Sequence, residues 1–433
     1  MPQTKIVLIG AGSVCFGQST FADLCRAGQR LAGSTIVLVD INPAGLAALE
    51  ALLRCMVAAA GVDLRVEATT DRRRALPGAE FVVVSIARDR ERTWKLDFEV
   101  PQRHGVRHVL GENGGPGALF HAARNIPPVL AICRDLEALC PDALLVNFTN
   151  PEPRICLAVS RYSKVRVVGL CHQVFHGRRA AAQVLGRAEA DLDLKAAGIN
   201  HFTWISDLRD RRTGADLYPE FRRRVQAMPP DFEPLCRQLH DLFGRYPAAG
   251  DQHAGEYVAW AWEPVGTKGY DFVAAAAERD AMWADMERVN AGTLPPSRFL
   301  GLDIGERVVP LICGVLENSN HHELAVDLPN QGHIANLPDG PIVEVPGLVS
   351  GAGVRGLCVG PLPEGIAILC RRQMELASLA VDAAVHGDRA LALQALVLDP
   401  VVPGPEAARA ILDEVLAAER EWLPQFHGGP PAA

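Results

Sequence analysis

The chain has 433 residues and lacks any uninterrupted apolar run of about 18, so no stretch reads as a membrane span. It lacks a basic excess. Its 43 Lys and Arg are outnumbered by 51 Asp and Glu, with both signs interspersed, which argues against nucleic acid and anionic membrane surfaces as main partners. The N-terminus MPQTKIVLIGAGS shows no secretory cleavage pattern and runs straight into a strand and turn. Internal repeats and low-complexity segments are missing too. So is a disulfide framework: eleven cysteines, an odd number scattered over a long chain, read as reduced thiols of a cytoplasmic protein. What is present is ordinary for a folded enzyme or binding protein, with 48% hydrophobic and 22% charged residues. Such a length buries well over half of the unfolded surface and allows two or three domains.

Short β-branched runs alternate with longer helical stretches through the first 200 residues. Lys5–Ile9, Thr35–Val39, Phe81–Ile86, Ala143–Asn147 and Val165–Leu170 read as buried parallel strands. Amphipathic segments such as Pro43–Ala60 and Ile126–Leu139 lie between them. This alternation predicts an α/β fold with an N-terminal Rossmann-like parallel sheet. After Gly198 the texture becomes mostly helical (Ala275–Ala291, Pro363–His386, Pro405–Trp422), with a strand-like patch at Ala335–Val349. We therefore expect residues 1–197 to be a nucleotide-binding domain, and residues 198–433 a largely helical α+β domain with a smaller sheet.

Strand Lys5–Ile9 leads into Gly10-Ala11-Gly12-Ser13 and then a predicted helix. The two glycines permit a tight turn and close approach of a pyrophosphate to backbone amides at a helix N-terminus. The third glycine of the dinucleotide fingerprint is missing, with Cys15 in its place. Asp40, at the end of the second strand, is placed to bond the ribose of NAD and to repel the extra phosphate of NADP. Strand, turn, helix, strand and acid fall in order, so NAD is the expected cofactor.

Three further segments carry polar residues where parallel strands are expected to end: Asn147–Pro151, Gly169–Val174 and Gly198–His201. A thiolate at Cys171 and an imidazole at His201 suit a borderline divalent ion. Taken singly, Cys171 reads more readily as a small buried hydrophobe and His201 as a satisfied core histidine. Titratable groups also concentrate in Asp251-Gln252-His253 and Glu256-Tyr257.

Taken together, GAGS, the NP after the fourth strand, GLCH, GINH and PNQGHIANLPDGPIVEVP resemble glycoside hydrolase family 4, over nearly the whole chain. The resemblance implies a fold similar to lactate and malate dehydrogenases, and dependence on NAD and on Mn²⁺ or another divalent metal. It implies transient oxidation of the sugar at C3, removal of the C2 proton, elimination of the glycosidic oxygen, addition of water and return of the hydride, an exception to two-carboxylate glycoside hydrolysis. Cys171 and His201 are then the metal ligands, and Asn150 contacts the sugar hydroxyls beside cofactor and metal. Asp251 matches the C2 base of some α-specific members, with Tyr257 in reserve. His172 matches the acid for the departing oxygen, a role suited to an imidazole near neutrality. A homodimer or homotetramer and a small carbohydrate substrate are implied as well.

Cys171-His172-Gln173-Val174 resembles members acting on non-phosphorylated α-glycosides. FEVPQRHGV, CPDALLVNFTNP and EREWLP resemble the α-galactosidase branch. GINHFTWI, PAAGDQH and LPNQGHIANLP resemble the α-galacturonidase branch, although Gln173 and Gln252 stand where that branch has Glu and Arg. Arg88, in the loop after Phe81–Ile86, is the candidate anchor for an anionic substituent, with a solvated run of alternating charges as the equal reading of that loop, and Gln173 and His253 are further expected sugar contacts. The order expected is α-galacturonide, α-galactoside, then α-glucoside. An NAD-dependent hydroxy-acid dehydrogenase is the alternative of another class.

Overall fold

The computed structural model describes residues 3–302 and 306–429, and of Val14, Cys15 and Phe16 the backbone alone. The anomalous Cys15 side chain of the glycine turn thus lies outside the described residues. Eleven strands form one sheet: β1 (Lys5–Ile9), β2 (Ser34–Val39), β3 (Leu64–Thr69), β4 (Phe81–Val84), β5 (Leu144–Asn147), β6 (Arg166–Gly169), β7 (Leu192–Ile199), β8 (Phe202–Asp210), β9 (His321–Pro329), β10 (Ile342–Ser350) and β11 (Gly353–Gly356). The order is β3-β2-β1-β4-β5-β6-β9-β10-β7-β8, with β11 beside β10. The first six strands are parallel in the doubly wound order that brings ligands to the carboxyl ends of the strands. β1 and β4 are buried on both faces, which explains their unbroken Ile, Val and Leu.

The sheet departs from expectation after β6. The second half does not build a separate smaller sheet: β9 joins β6 antiparallel at Asp327 opposite Gly169, and β10 joins β7 antiparallel at Glu344 opposite Gly198. β7 therefore does not end as a parallel strand. It turns back through Asn200 and His201 into β8, and His201 takes the left-handed φ of 63° that so tight a reversal requires.

Helices cover both faces. Pro43–Ala60 starts as its sequence demands, with Pro at the first turn and Asn42 accepting from the N–H groups of Ala44 and Gly45. Its mean hydropathy of 1.5 over 18 residues reaches the range of a membrane span, contrary to the expectation from the sequence. Glu50 and Arg54 interrupt it, however, and Leu46, Leu49, Leu52, Leu53 and Met56 are buried in the core. Phe272–Asn290 packs beside it, whereas Glu364–His386 lies across the long helix Gly115–Leu139 on the other face. Both halves of the chain thus bury the parallel sheet.

Candidate active site

A cleft of about 630 Å³ opens at the carboxyl ends of β1, β4, β5 and β6. At β1 the backbone of Gly10 has φ +92°, and a Cβ there would lie 1.9 Å from the Ser85 carbonyl oxygen. A Cβ on Gly12 would lie 2.5 Å from the Asp40 carboxyl carbon. Asp40 accepts from the N–H of Gly12 at 2.7 Å and of Asn42 at 2.8 Å. Two positions that admit no side chain, a carboxylate ending β2 and Ser13 on the cleft wall fit a dinucleotide cradle.

Deeper in, the loop after β6 and the β7–β8 turn bring Cys171 Sγ to 3.4 Å from His201 Nε2. Burial pushes the Cys171 thiol up, with Glu344 adding to the effect, and burial holds His201 well below the usual imidazole range. His201 Nδ1 is buried without a partner among the described residues. A sulfur and an imidazole nitrogen side by side, with the ring's other nitrogen unpartnered, are a donor pair that fits a divalent ion. His253 lies against His201, ring centroids 4.1 Å apart, and its Nδ1 is 3.5 Å from Glu256 Oε1. Donor atoms of His201, His253 and Glu256 all fall within 4.8 Å of one another.

His172 reaches Glu306 at 3.7 Å, and this contact leads in raising its imidazole above the usual range. Asn150, Gln173, Gln252 and His253 line the cleft, with Trp94 and Tyr270 stacked at 4.3 Å as an aromatic wall.

Three expected residues stand elsewhere. Asp251 turns away from the cleft, because its carboxylate accepts from the N–H groups of Leu235 (3.2 Å) and Cys236 (2.8 Å) at the start of helix Pro234–Phe243. Tyr257 is buried behind the β7–β8 turn, where its hydroxyl donates to the Asn200 carbonyl at 3.2 Å. Arg88 lies over the Trp422 ring at 5.9 Å and is not among the described residues lining the cleft. Two neighbours supply the cleft's cations instead: Arg90, bonded to Glu112 at 2.8 Å, and Arg279, paired with Glu91.

Other functional groups carry no role expected from the sequence, although Glu256 falls in the segment where the sequence concentrates titratable side chains. Glu256 seats one oxygen on the N–H groups of Glu112, Asn113 and Gly114, at 2.6, 2.6 and 3.1 Å, where the 25-residue helix Gly115–Leu139 begins. The segment Gly111-Glu112-Asn113-Gly114-Gly115 carries a signal for this, since a glycine-rich loop before a helix often cradles an anion. Behind Cys171, the carboxyls of Glu152, Asp327 and Glu344 gather, and among the described residues none is in an ion pair with Lys or Arg. Glu344 accepts from Asn200 and Thr203, and Glu152 from Cys156. Burial pushes all three carboxyls up, Glu152 to about 8. An acid inside an otherwise apolar strand, as in Ile342-Val343-Glu344-Val345, is the legible sign.

Comparison with known proteins identifies the family. Residues 5–187 match the profile described as family 4 glycosyl hydrolase, and residues 196–402 that of the family 4 glycosyl hydrolase C-terminal domain. The chain is 35% identical to an alpha-glucosidase of Erwinia rhapontici, covering 97% of this chain and 99% of the relative. It is 30% identical to an alpha-galactosidase of Rhizobium meliloti (strain 1021), covering 98% and 90%. A 6-phospho-alpha-glucosidase from gut microorganisms, solved in complex with NAD and Mn²⁺, superimposes with a TM-score of 0.85 at 21% identity, covering 98% of this chain and 100% of that one. With both parts of the family's profile matched along its length, the chain belongs to glycosyl hydrolase family 4.

Proposed function

We propose that the chain hydrolyses the α-glycosidic bond of non-phosphorylated, neutral hexosides with NAD and a divalent ion such as Mn²⁺. The observation that carries this reading is the pairing of Cys171 and His201 at 3.4 Å in a cleft also lined by Ser13, the residue that follows the Gly10–Gly12 turn. In this reading residues 1–197 contribute the dinucleotide half and residues 198–433 the substrate half. Gly10, Gly12, Ser13 and Asp40 hold NAD, and Cys171 and His201 hold the ion. When bound, the two supply reversible oxidation at C3 and polarisation of the neighbouring oxygens, which acidifies the C2 proton.

His253, steadied by Glu256, takes the C2 proton in place of Asp251 and Tyr257, since it is the titratable side chain of that segment facing the cleft. His172, its imidazole held above the usual range by Glu306, gives a proton to the departing oxygen. Asn150, Gln173 and Gln252 orient hydroxyls along the Trp94 and Tyr270 wall.

The position of the cations supports an order of sugars different from the expected one. A uronide carboxylate calls for a bidentate arginine. Position 252 is glutamine, Arg88 lies over Trp422, and Arg90 and Arg279 are already engaged by Glu112 and Glu91. Neutral α-glucosides and α-galactosides therefore come first and α-galacturonides second.

Incubation with NAD, Mn²⁺, reductant and p-nitrophenyl α-glycosides in D₂O tests the proposal. It predicts deuterium at C2 of the released sugar, no net NADH, and a higher kcat/KM for the glucoside or galactoside than for the galacturonide. Steady NADH production from a hydroxy acid without glycoside cleavage would establish the dehydrogenase instead.

A further inference from the structure

A second cluster of metal-ligating groups lies behind the short helix that carries His253. A Glu233 oxygen, Cys236 Sγ and an Asp251 oxygen all fall within 4.8 Å of one another. Cys236 is fully buried, and His176 Nε2 is 2.5 Å from Glu233 Oε1. We propose that Glu233, Cys236 and Asp251, supported by His176, form a structural site for a divalent cation of the zinc type, separate from the ion at Cys171 and His201.

The donor set is the first argument. One soft sulfur with two carboxylate oxygens and a nearby imidazole is a combination that zinc accepts and that magnesium or calcium, which favour oxygen alone, do not. Charge is the second. Two carboxylates flank a buried thiol: Glu233 is bonded to His176 and the Tyr246 hydroxyl, and Asp251 accepts from the N–H groups of Leu235 and Cys236. Among the described residues neither is in an ion pair with Lys or Arg, and a dication would offset their joint negative charge. On binding, a sulfur–metal bond replaces the S–H bond of Cys236 and the proton leaves to solvent. His176, bonded to Glu233, fixes the orientation of that ligand from outside, as histidine–carboxylate pairs do around metals.

The site would join three elements. His176 belongs to helix Gln173–Leu185, which begins directly after Cys171 and His172. Cys236 lies in the first turn of Pro234–Phe243, and Asp251 in Gly250–Ala254. The last of these also bears Gln252 and His253, which line the cleft. A cation here would hold that wall of the cleft in place without touching the sugar. It would also give Asp251 a use that its turn away from the cleft leaves open.

Cobalt binding to the full-length chain tests this. The Cys171→Ser variant, stripped with chelator, removes the cleft thiolate from the measurement. Titrated with Co²⁺, it is expected to develop near-ultraviolet thiolate-to-cobalt absorption. Adding Cys236→Ser should abolish that band and lower the bound metal by one ion per chain. Absence of the band in Cys171→Ser, or its survival in the double variant, overturns the site. Should the double variant fail to fold, Asp251→Asn in the Cys171→Ser background decides the matter: the site predicts at least tenfold weaker Co²⁺ binding, and unchanged binding overturns it.

Discussion

His253 and Asp251 stand two residues apart on one helical turn, and their different fates show what a single residue's spacing can decide. At 3.6 residues per turn, positions i and i+2 are about 200° apart, so one faces the cleft whenever the other faces away. The motif alone cannot say which, because the phase of the helix is set by packing around it. Here the backbone amides of Leu235 and Cys236 capture Asp251 and fix that phase. His253→Ala should therefore lower kcat by about 100-fold or more, the usual worth of a positioned base, with NAD affinity retained. Tyr257→Phe should leave kcat within a few-fold, because the lost hydroxyl donates to the Asn200 carbonyl behind the turn and not into the cleft. Loss of C2 deuterium exchange in Tyr257→Phe, with exchange intact in His253→Ala, would return the base to the tyrosine.

At the scale of elements, legibility follows burial. Central strands, buried on both faces, announce themselves as unbroken apolar runs, and β1, β2, β4 and β5 are readable in this way, while β6 is readable from Val167 and Val168 although Arg166 is exposed. β3 is not, because it is an edge strand whose Leu-Arg-Val-Glu alternates core and solvent and mimics a helix tail. The β7–β8 hairpin misleads for another reason. Strand direction is a property of the neighbours, and nothing in Gly198–His201 distinguishes a parallel strand's end from a hairpin turn. Site residues follow a similar rule: Cys171, His201, Gly10 and Gly12 stand on elements whose ends the sequence locates, whereas Glu306 reaches the cleft from an irregular segment and Glu256, in the short turn Gly255–Tyr257, is buried behind His253. The turn after β1 offers a direct test. Gly12→Ala would drive a methyl into the Asp40 carboxylate, so NAD affinity should fall at least tenfold in a fluorescence titration while the far-ultraviolet circular dichroism stays unchanged. Unaltered NAD affinity would remove this turn from the cofactor site.

For the molecule as a whole, the two halves are tied by charges buried between them. Arg124 on Gly115–Leu139 bonds Asp97 and Glu419, all three nearly inaccessible. Arg124→Leu would strand two carboxylates, and destabilisation of about 3–5 kcal/mol in urea unfolding is expected. Burial also raises Glu419 and Glu152 from their ordinary 4.5 to about 8, while it lowers His108 and His121 from 6.5 to about 4 and about 3. The signs oppose. Each raised acid keeps a proton that the unfolded chain releases, so its contribution is whole below pH 4.5 and is lost as pH rises through about 8. Each lowered histidine refuses a proton that the unfolded chain takes, so its contribution is whole above pH 6.5 and is lost as pH falls through its folded value. Above pH 6.5 the raised acids act without opposition from the histidines. Stability of the metal-free protein should therefore fall from pH 6.5 to 8, by at most about 1.4 kcal/mol per pH unit for each raised acid. Glu152→Gln should make that fall shallower. A urea midpoint that holds steady or rises from pH 6.5 to 8 would mean that these carboxyls ionise within the fold at little cost.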